Sequence, residues 1–278
     1  MLNLLVPTEP HDVMASVLQT ALLCQKRFES YVESFALRPA IPDYVPIDMV
    51  SGLAWHVDET ADEQARRDSH AMFTKFAEEN GLTAARPGIV EPGWGWYPKA
   101  PAGDAFLASH ARIFDLTILG RPVAGKAVPS MATLEAALFE SGRPILIAPP
   151  TSPTSLGETV VIAWNGSSET ARTVAFAGPF LRRAKKILVL SIEGWFFQGP
   201  TGEQLALSLR RNEVAAESVH VAAGRRSMGE TILEETASLG GDLLLKGAYT
   251  QSRLRQMIFG GATAHVLAAA DVPVLMAN

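Results

Sequence analysis

An α/β fold made of two tandem parallel-sheet units is what this sequence predicts, and three observations predict it. Short apolar runs alternate with segments of helical periodicity along the whole chain, the pattern of βαβ units with right-handed crossovers. The chain also repeats itself: Asp115 and Gly120, at the ends of one apolar run, align with Asp242 and Gly247 at the same separation, and Pro144 and Pro273 each head a short apolar run. Finally, residues 149–155 contain three prolines, several hydroxyls and no large apolar residue, which is the composition of a linker. The division falls near residue 150, giving units 1–150 and 151–278 of ordinary domain size.

Taken in order, the first unit opens on a core strand around residues 4–6 and has its clearest helices at 14–28 and 60–80. A helical segment at 104–113 precedes the apolar run that ends at Gly120, and a last strand follows at 144–148. In the second unit, residues 159–164 form an apolar run suited to a strand buried on both faces. Ser167 or Ser168 caps a helix expected to continue through Leu181. Strands at 187–192, 218–222, 243–246 and 272–276 alternate with helices at 201–211, 228–239 and 262–270. The two last strands are expected to be edges, and an exposed edge invites pairing, so the units should join there, with a homodimer as a further level of assembly.

Composition narrows the function classes. A formal net charge of −5, without clustered Lys and Arg, argues against a nucleic-acid or membrane-surface partner. The single cysteine, Cys24, excludes an internal disulfide or a Cys-based zinc site. No apolar run is long enough for a membrane span and the start lacks the basic, apolar layout of a signal peptide, so the cytoplasm is the expected compartment.

The most informative stretch is 247–267. Gly247 ends a strand, Gly260 and Gly261 stand just before the last helix, and Arg253 and Arg255 lie between them. Glycine at a strand end allows a sharp turn with open N–H groups, and a helix N-terminus favours an anion. With the hydroxyl of Thr263, this layout suits a triphosphate.

These residues resemble the nucleotide-binding signature of the universal stress protein family, Gly-x2-Gly-x9-Gly-[Ser/Thr], with Gly247 at the first glycine and Gly260 at the third. Trp164, Asn165 and Gly166 look like the family's first loop, Asn165 standing where an Asp is frequent, and Ile192 matches an apolar position beside the adenine. The resemblance covers residues 159–278 well and the first unit only through order and spacing. It implies Rossmann-like, five-stranded domains of the adenine nucleotide alpha hydrolase-like type, packed as a pseudo-dimer through their last strands. It implies further that ATP, with magnesium, is bound in some members. Gly247, Gly260, Gly261, Ala262 and Thr263 would then contact phosphates, Arg253 would add charge, and Trp164, Asn165 and Ile192 would frame base and ribose. Two positions depart from the signature: Thr250 replaces the second glycine and Gly261 the hydroxyl residue. A nucleotide-free interaction scaffold and a weak ATPase or self-phosphorylating protein are the alternatives.

Other signals are weaker. The run from Gly120 through Lys126 to Ala127 nearly spells a phosphate loop but lacks the magnesium-binding hydroxyl after the lysine, and Pro129 disturbs the helix that should follow. Lys126 facing the cleft is the remaining possibility for that half, which otherwise reads as nucleotide-free. His56, Asp58, Glu59 and His70 have no metal-ligand spacing, and His110 and His265 read as packing or surface residues. The run 91–97, with Trp94, Trp96 and Tyr97 among glycines and a proline, reads chiefly as cover for a core edge and secondarily as a surface for a ring or a partner. Phe196 and Phe197 suggest a similar cover. No catalytic motif is recognisable.

Overall fold

The computed structural model describes residues 1–39, 59–86, 88–123, 125–195, 198–248 and 261–278. The first half runs β1 (Asn3–Thr8), α1 (Met14–Phe28), β2 (Tyr31–Ala36), α2 (Glu59–Glu79), β3 (Gly93–Trp96), α3 (Asp104–His110) with a 3-10 turn (Ala111–Ile113), β4 (Leu116–Gly120), α4 (Met131–Glu140) and β5 (Ile145–Ala148). The second runs β6 (Thr159–Ala163), α5 (Ser168–Phe176), α6 (Gly178–Leu181), β7 (Lys186–Ile192), α7 (Gly202–Arg211), β8 (Ala216–Val221), α8 (Met228–Ser238), β9 (Leu243–Lys246), α9 (Gly261–Ala269) and β10 (Val274–Met276).

All ten strands form one sheet in the order β3-β2-β1-β4-β5-β10-β9-β6-β7-β8. Each half contributes its strands as third, second, first, fourth, fifth, all parallel. The halves meet where β10 runs antiparallel to β5, Leu275 opposite Leu146. The α/β class and Rossmann-like architecture read from the sequence are therefore present, with the two five-stranded units fused into a continuous sheet. Strand order reverses between β1 and β4 and again between β6 and β9, and ligands collect beyond the carboxyl ends of strands at such points.

Because β1 is buried on both faces, its side chains divide with period two: Leu4 and Val6 enter the core under α1 and α5, Leu5 the one under α4 and α8. Both cores run across the two halves. Phe28 of α1 meets Phe180 edge-on at 4.8 Å, and Arg27 reaches Glu158 (2.6 Å) and the carbonyl oxygens of Gly157 and Arg183.

Two expectations need correction. The helix expected through Leu181 breaks after Phe176, because Gly178-Pro179 cannot continue the ladder and starts the short α6 instead. The run 91–97 contains the edge strand β3, paired with β2, which its glycines disguised. Trp94 there is 3% exposed and packs on Phe73 and Phe76, so part of the run does cover a core edge.

Candidate functional site

At the second reversal point, the chain leaves β6 through Trp164 and Asn165 and turns at Gly166, whose φ of 78° favours glycine. Ser167 then caps α5, its Oγ accepting from the Thr170 N–H. Asn165 Oδ1 accepts from Ser167 N (3.2 Å) and from the Thr170 hydroxyl (2.8 Å), so this side chain, 6% exposed, anchors its own loop. The indole N–H of Trp164 donates to the Pro200 carbonyl at 2.8 Å. A Cβ on Gly199 would lie 2.6 Å from the Gly166 carbonyl oxygen, so the two loops are in close contact. Ile192 is buried in the core with Ala223 and Ala248. Residues expected to frame an adenosine are thus engaged with the protein's own atoms.

The β9–α9 side differs. A Cβ on Gly247 would sit 2.4 Å from the Thr170 backbone nitrogen, so this glycine lets the end of β9 lie against the start of α5. Gly261 begins α9 with none of the described residues within 4 Å of a Cβ built on it, and Thr263 is buried one turn in. Beneath them lies Lys246, 3% exposed, donating to Thr263 Oγ1 (2.7 Å) and the Gly247 carbonyl (3.0 Å). Its ammonium stands 6.0 Å from the Trp195 ring centroid. Burial pushes its pKa down to about 8. No carboxylate contributes to that shift, so ammonium and helix N-terminus place positive charge together without a counter-ion among the described residues.

Lys246 was missed in the sequence, although its signal is there: a lysine ending an otherwise apolar strand, directly before a glycine. Of the other expected site residues, Ala262 is half-buried against the core beside Gly261. Thr250, Arg253 and Gly260 lie outside the described residues, as do Arg255, His56, Asp58, Phe196 and Phe197.

The first reversal point is built from other chemistry. His11 follows β1 and makes the kind of bond that Asn165 makes in the second half, its Nδ1 accepting from the N–H two residues on, that of Val13 (3.1 Å), at the start of α1. Burial pushes this imidazole down to about 4, leaving it neutral at pH 7, so its 3.9 Å approach to Glu9 is not an ion pair there. Burial, with the nearby charge of Asp104, raises Glu9 to about 7. Glu9, His11, Gly120, Ser130 and Thr133 line a cavity of about 10 Å³, room for roughly one water. Lys126 pairs with exposed Asp12 at 3.2 Å. His70 packs on Trp96 with the rings tilted, His110 Nε2 lies 2.6 Å from Glu33 Oε1, and His265 packs against Gly229 of α8. Among the described residues no three His, Cys, Asp or Glu side chains gather as a metal site would require, and no helix is long and apolar enough to cross a membrane.

Comparison with known proteins agrees with this layout. Residues 158–278 match the model of the universal stress protein family. Over 99% of this chain and 96% of its own, a universal stress protein from Archaeoglobus fulgidus DSM 4304 superimposes with a TM-score of 0.70 at 14% identity. A second structure, described as a putative universal stress protein from Pseudomonas aeruginosa UCBPP-PA14, gives 0.57 at 14% identity, covering 99% of this chain and 92% of its own. A functionally unknown protein from Pseudomonas aeruginosa PAO1 gives 0.55 at 12%, with the same coverages of 99% and 92%. No curated protein matches the sequence. At these identities the structures establish the fold along the whole chain, and residues 158–278 are a domain of the universal stress protein family.

Proposed function

We propose that this chain is a stress-associated regulatory or protective protein of the universal stress type, with 1–150 and 151–278 as its two domains, whose second domain binds the phosphate end of an adenine nucleotide. Lys246 carries the reading: a lysine 3% exposed, without a carboxylate partner among the described residues, under the N-terminus of α9. An anion at that point offsets the cost of burying the ammonium and uses the Gly261 face, which the described residues leave open, and the Thr263 hydroxyl. Magnesium would enter with the triphosphate. The cytoplasm, the usual compartment of this family, is the compartment we assign, and homodimer formation belongs to the same proposal.

The internal bonds of Asn165 and Trp164 shape the expected selectivity: binding led by phosphate, with little contributed by the base. Calorimetric titration of the full chain tests this with magnesium-ATP, pyrophosphate and adenosine. ATP and pyrophosphate should bind and adenosine should not. The absence of both heat and a thermal shift at millimolar ATP overturns the reading. It would leave the nucleotide-free scaffold, which the close packing of Gly247 on Thr170 favours independently.

A further inference from the structure

Beyond the carboxyl ends of β2 and β3, on the far side of the first half from the β9–α9 site, the described residues enclose a cleft of about 190 Å³. Ala36, Pro98 and Ala100 give it apolar surface, Trp96 and Tyr97 its aromatic walls, Arg38, Arg66 and Arg67 its cations, and Glu63 one carboxylate. The aromatic wall is held in place: His70 packs on Trp96 at 4.7 Å, Phe73 at 5.5 Å, and Tyr97 stacks on Phe106 at 5.7 Å.

Among the described residues the charges do not balance. Asp62 serves two guanidinium groups at once, Nη1 of Arg38 and Nε of Arg66. Glu63 is 3.7 Å from Arg67, with both side chains more than half exposed, a pair that contributes little. The Arg38 side chain is only 3% exposed, yet its Nε has no hydrogen-bond partner among the described residues. A planar cationic lining beside aromatic faces is the chemistry that recognises a carboxylate on a ring, since guanidinium forks bind carboxylates bidentately and stack on aromatic rings. Size sets the class: a cavity of about 150 Å³ accommodates benzene, whereas drug-sized ligands fill roughly 300 Å³ or more.

We propose that this cleft is a binding site for a small aromatic carboxylate, its ring against Trp96 and Tyr97 and its carboxylate on Arg66 and Arg67. The proposal stands apart from the nucleotide reading, because none of these residues belongs to the second half.

Benzoate is the probe, added to the 15N-labelled full chain while the indole N–H of Trp96, assigned with Trp96→Phe, is followed by NMR. Saturable shifts with benzoate are expected, with little response to benzyl alcohol, benzylamine or inorganic phosphate. Arg67→Gln changes an exposed helix position that glutamine suits, and should weaken benzoate about tenfold while leaving the thermal midpoint in place. Arg66→Gln should do the same. Benzoate leaving Trp96 unshifted at millimolar concentration overturns the proposal. So does equal binding of phosphate, which would make the ring irrelevant, or undiminished binding in both folded arginine variants.

Discussion

The two halves share strand order and even particular interactions, yet they resolve the same reversal point in opposite ways. In the second half the loop after the first strand is closed by uncharged hydrogen bonds that Asn165 accepts, and the cost of burying a charge falls on a cation, Lys246, on the neighbouring strand β9. In the first half the corresponding loop holds His11, kept neutral, and the half-buried acid Glu9. One fold thus carries an electropositive seat and an acid-lined pocket of one-water size at equivalent places. Topology dictates where a site can lie, and a few side chains after the strands decide what charge it accepts.

The glycines ending β4 and β9 give the sharpest way to break this comparison. Gly247 is pressed against backbone, the Thr170 nitrogen, which cannot move without shifting α5. Gly120 faces side-chain atoms instead, Pro129 Cγ at 2.7 Å and His11 Cε1 at 3.2 Å from a Cβ built there. Gly247→Ala should therefore cost about 3 kcal/mol or more and Gly120→Ala about 1–2, as read from urea unfolding. Equal costs would mean that the two strand ends are packed alike.

Lys246 should dominate both ligand binding and alkaline behaviour. With its folded pKa near 8 and its ordinary value at 10.5, the folded chain holds fewer protons than the unfolded one between those limits. Stability contributed by this group therefore rises as pH climbs from about 8 to 10.5. The shift corresponds to about 3 kcal/mol before the lost hydrogen bonds to Thr263 and Gly247 are counted. Lys246→Met should abolish that rise and weaken pyrophosphate at least about tenfold. A variant that retains pyrophosphate affinity removes the lysine from the site.

Glu9 gives the mirror image. Its pKa rises from 4.5 to about 7 on folding, so its penalty is absent below pH 4.5, grows through that window and is complete above it. His11, lowered from 6.5 to about 4, acts oppositely, costing stability as pH falls through its own window, so the two slopes offset each other where they overlap. Glu9→Gln should stabilise the protein by up to about 3 kcal/mol at pH 8 and by almost nothing at pH 4. Thermal midpoints at the two pH values decide it, and an equal effect at both would show that Glu9 is charged throughout.

How much of this was legible follows from what kind of information each feature needs. The strands were readable because burial on both faces demands continuous apolar runs, and the start of α5 because Ser167 announces its cap locally. The strand β3 was not, since glycine hides pairing potential that only β2 supplies. Site residues were legible as positions but not as roles. That Asn165 spends its oxygen on Thr170, or that Lys246 lies under Thr263, depends on atoms brought together from distant parts of the chain.

The smallest effect concerns what the halves hold in common. Asp115 Oδ2 accepts from the main-chain N–H groups of Leu2 and Asn3, at 2.6 and 3.1 Å, and so ties the start of β4 to that of β1. Asp242 repeats the arrangement at the start of the second half, accepting from Glu158 and Thr159 at 3.1 and 2.9 Å. The first pair of bonds is exposed and the second partly buried, so water replaces the first more readily. Asp242→Ala should accordingly cost about 2 kcal/mol and Asp115→Ala about 1. The double variant should cost their sum, because distant clips without shared partners act independently. A double cost well beyond that sum, in urea unfolding, would show that the continuous sheet transmits the loss of one clip to the other, and that the halves fold as one cooperative unit through β5 and β10.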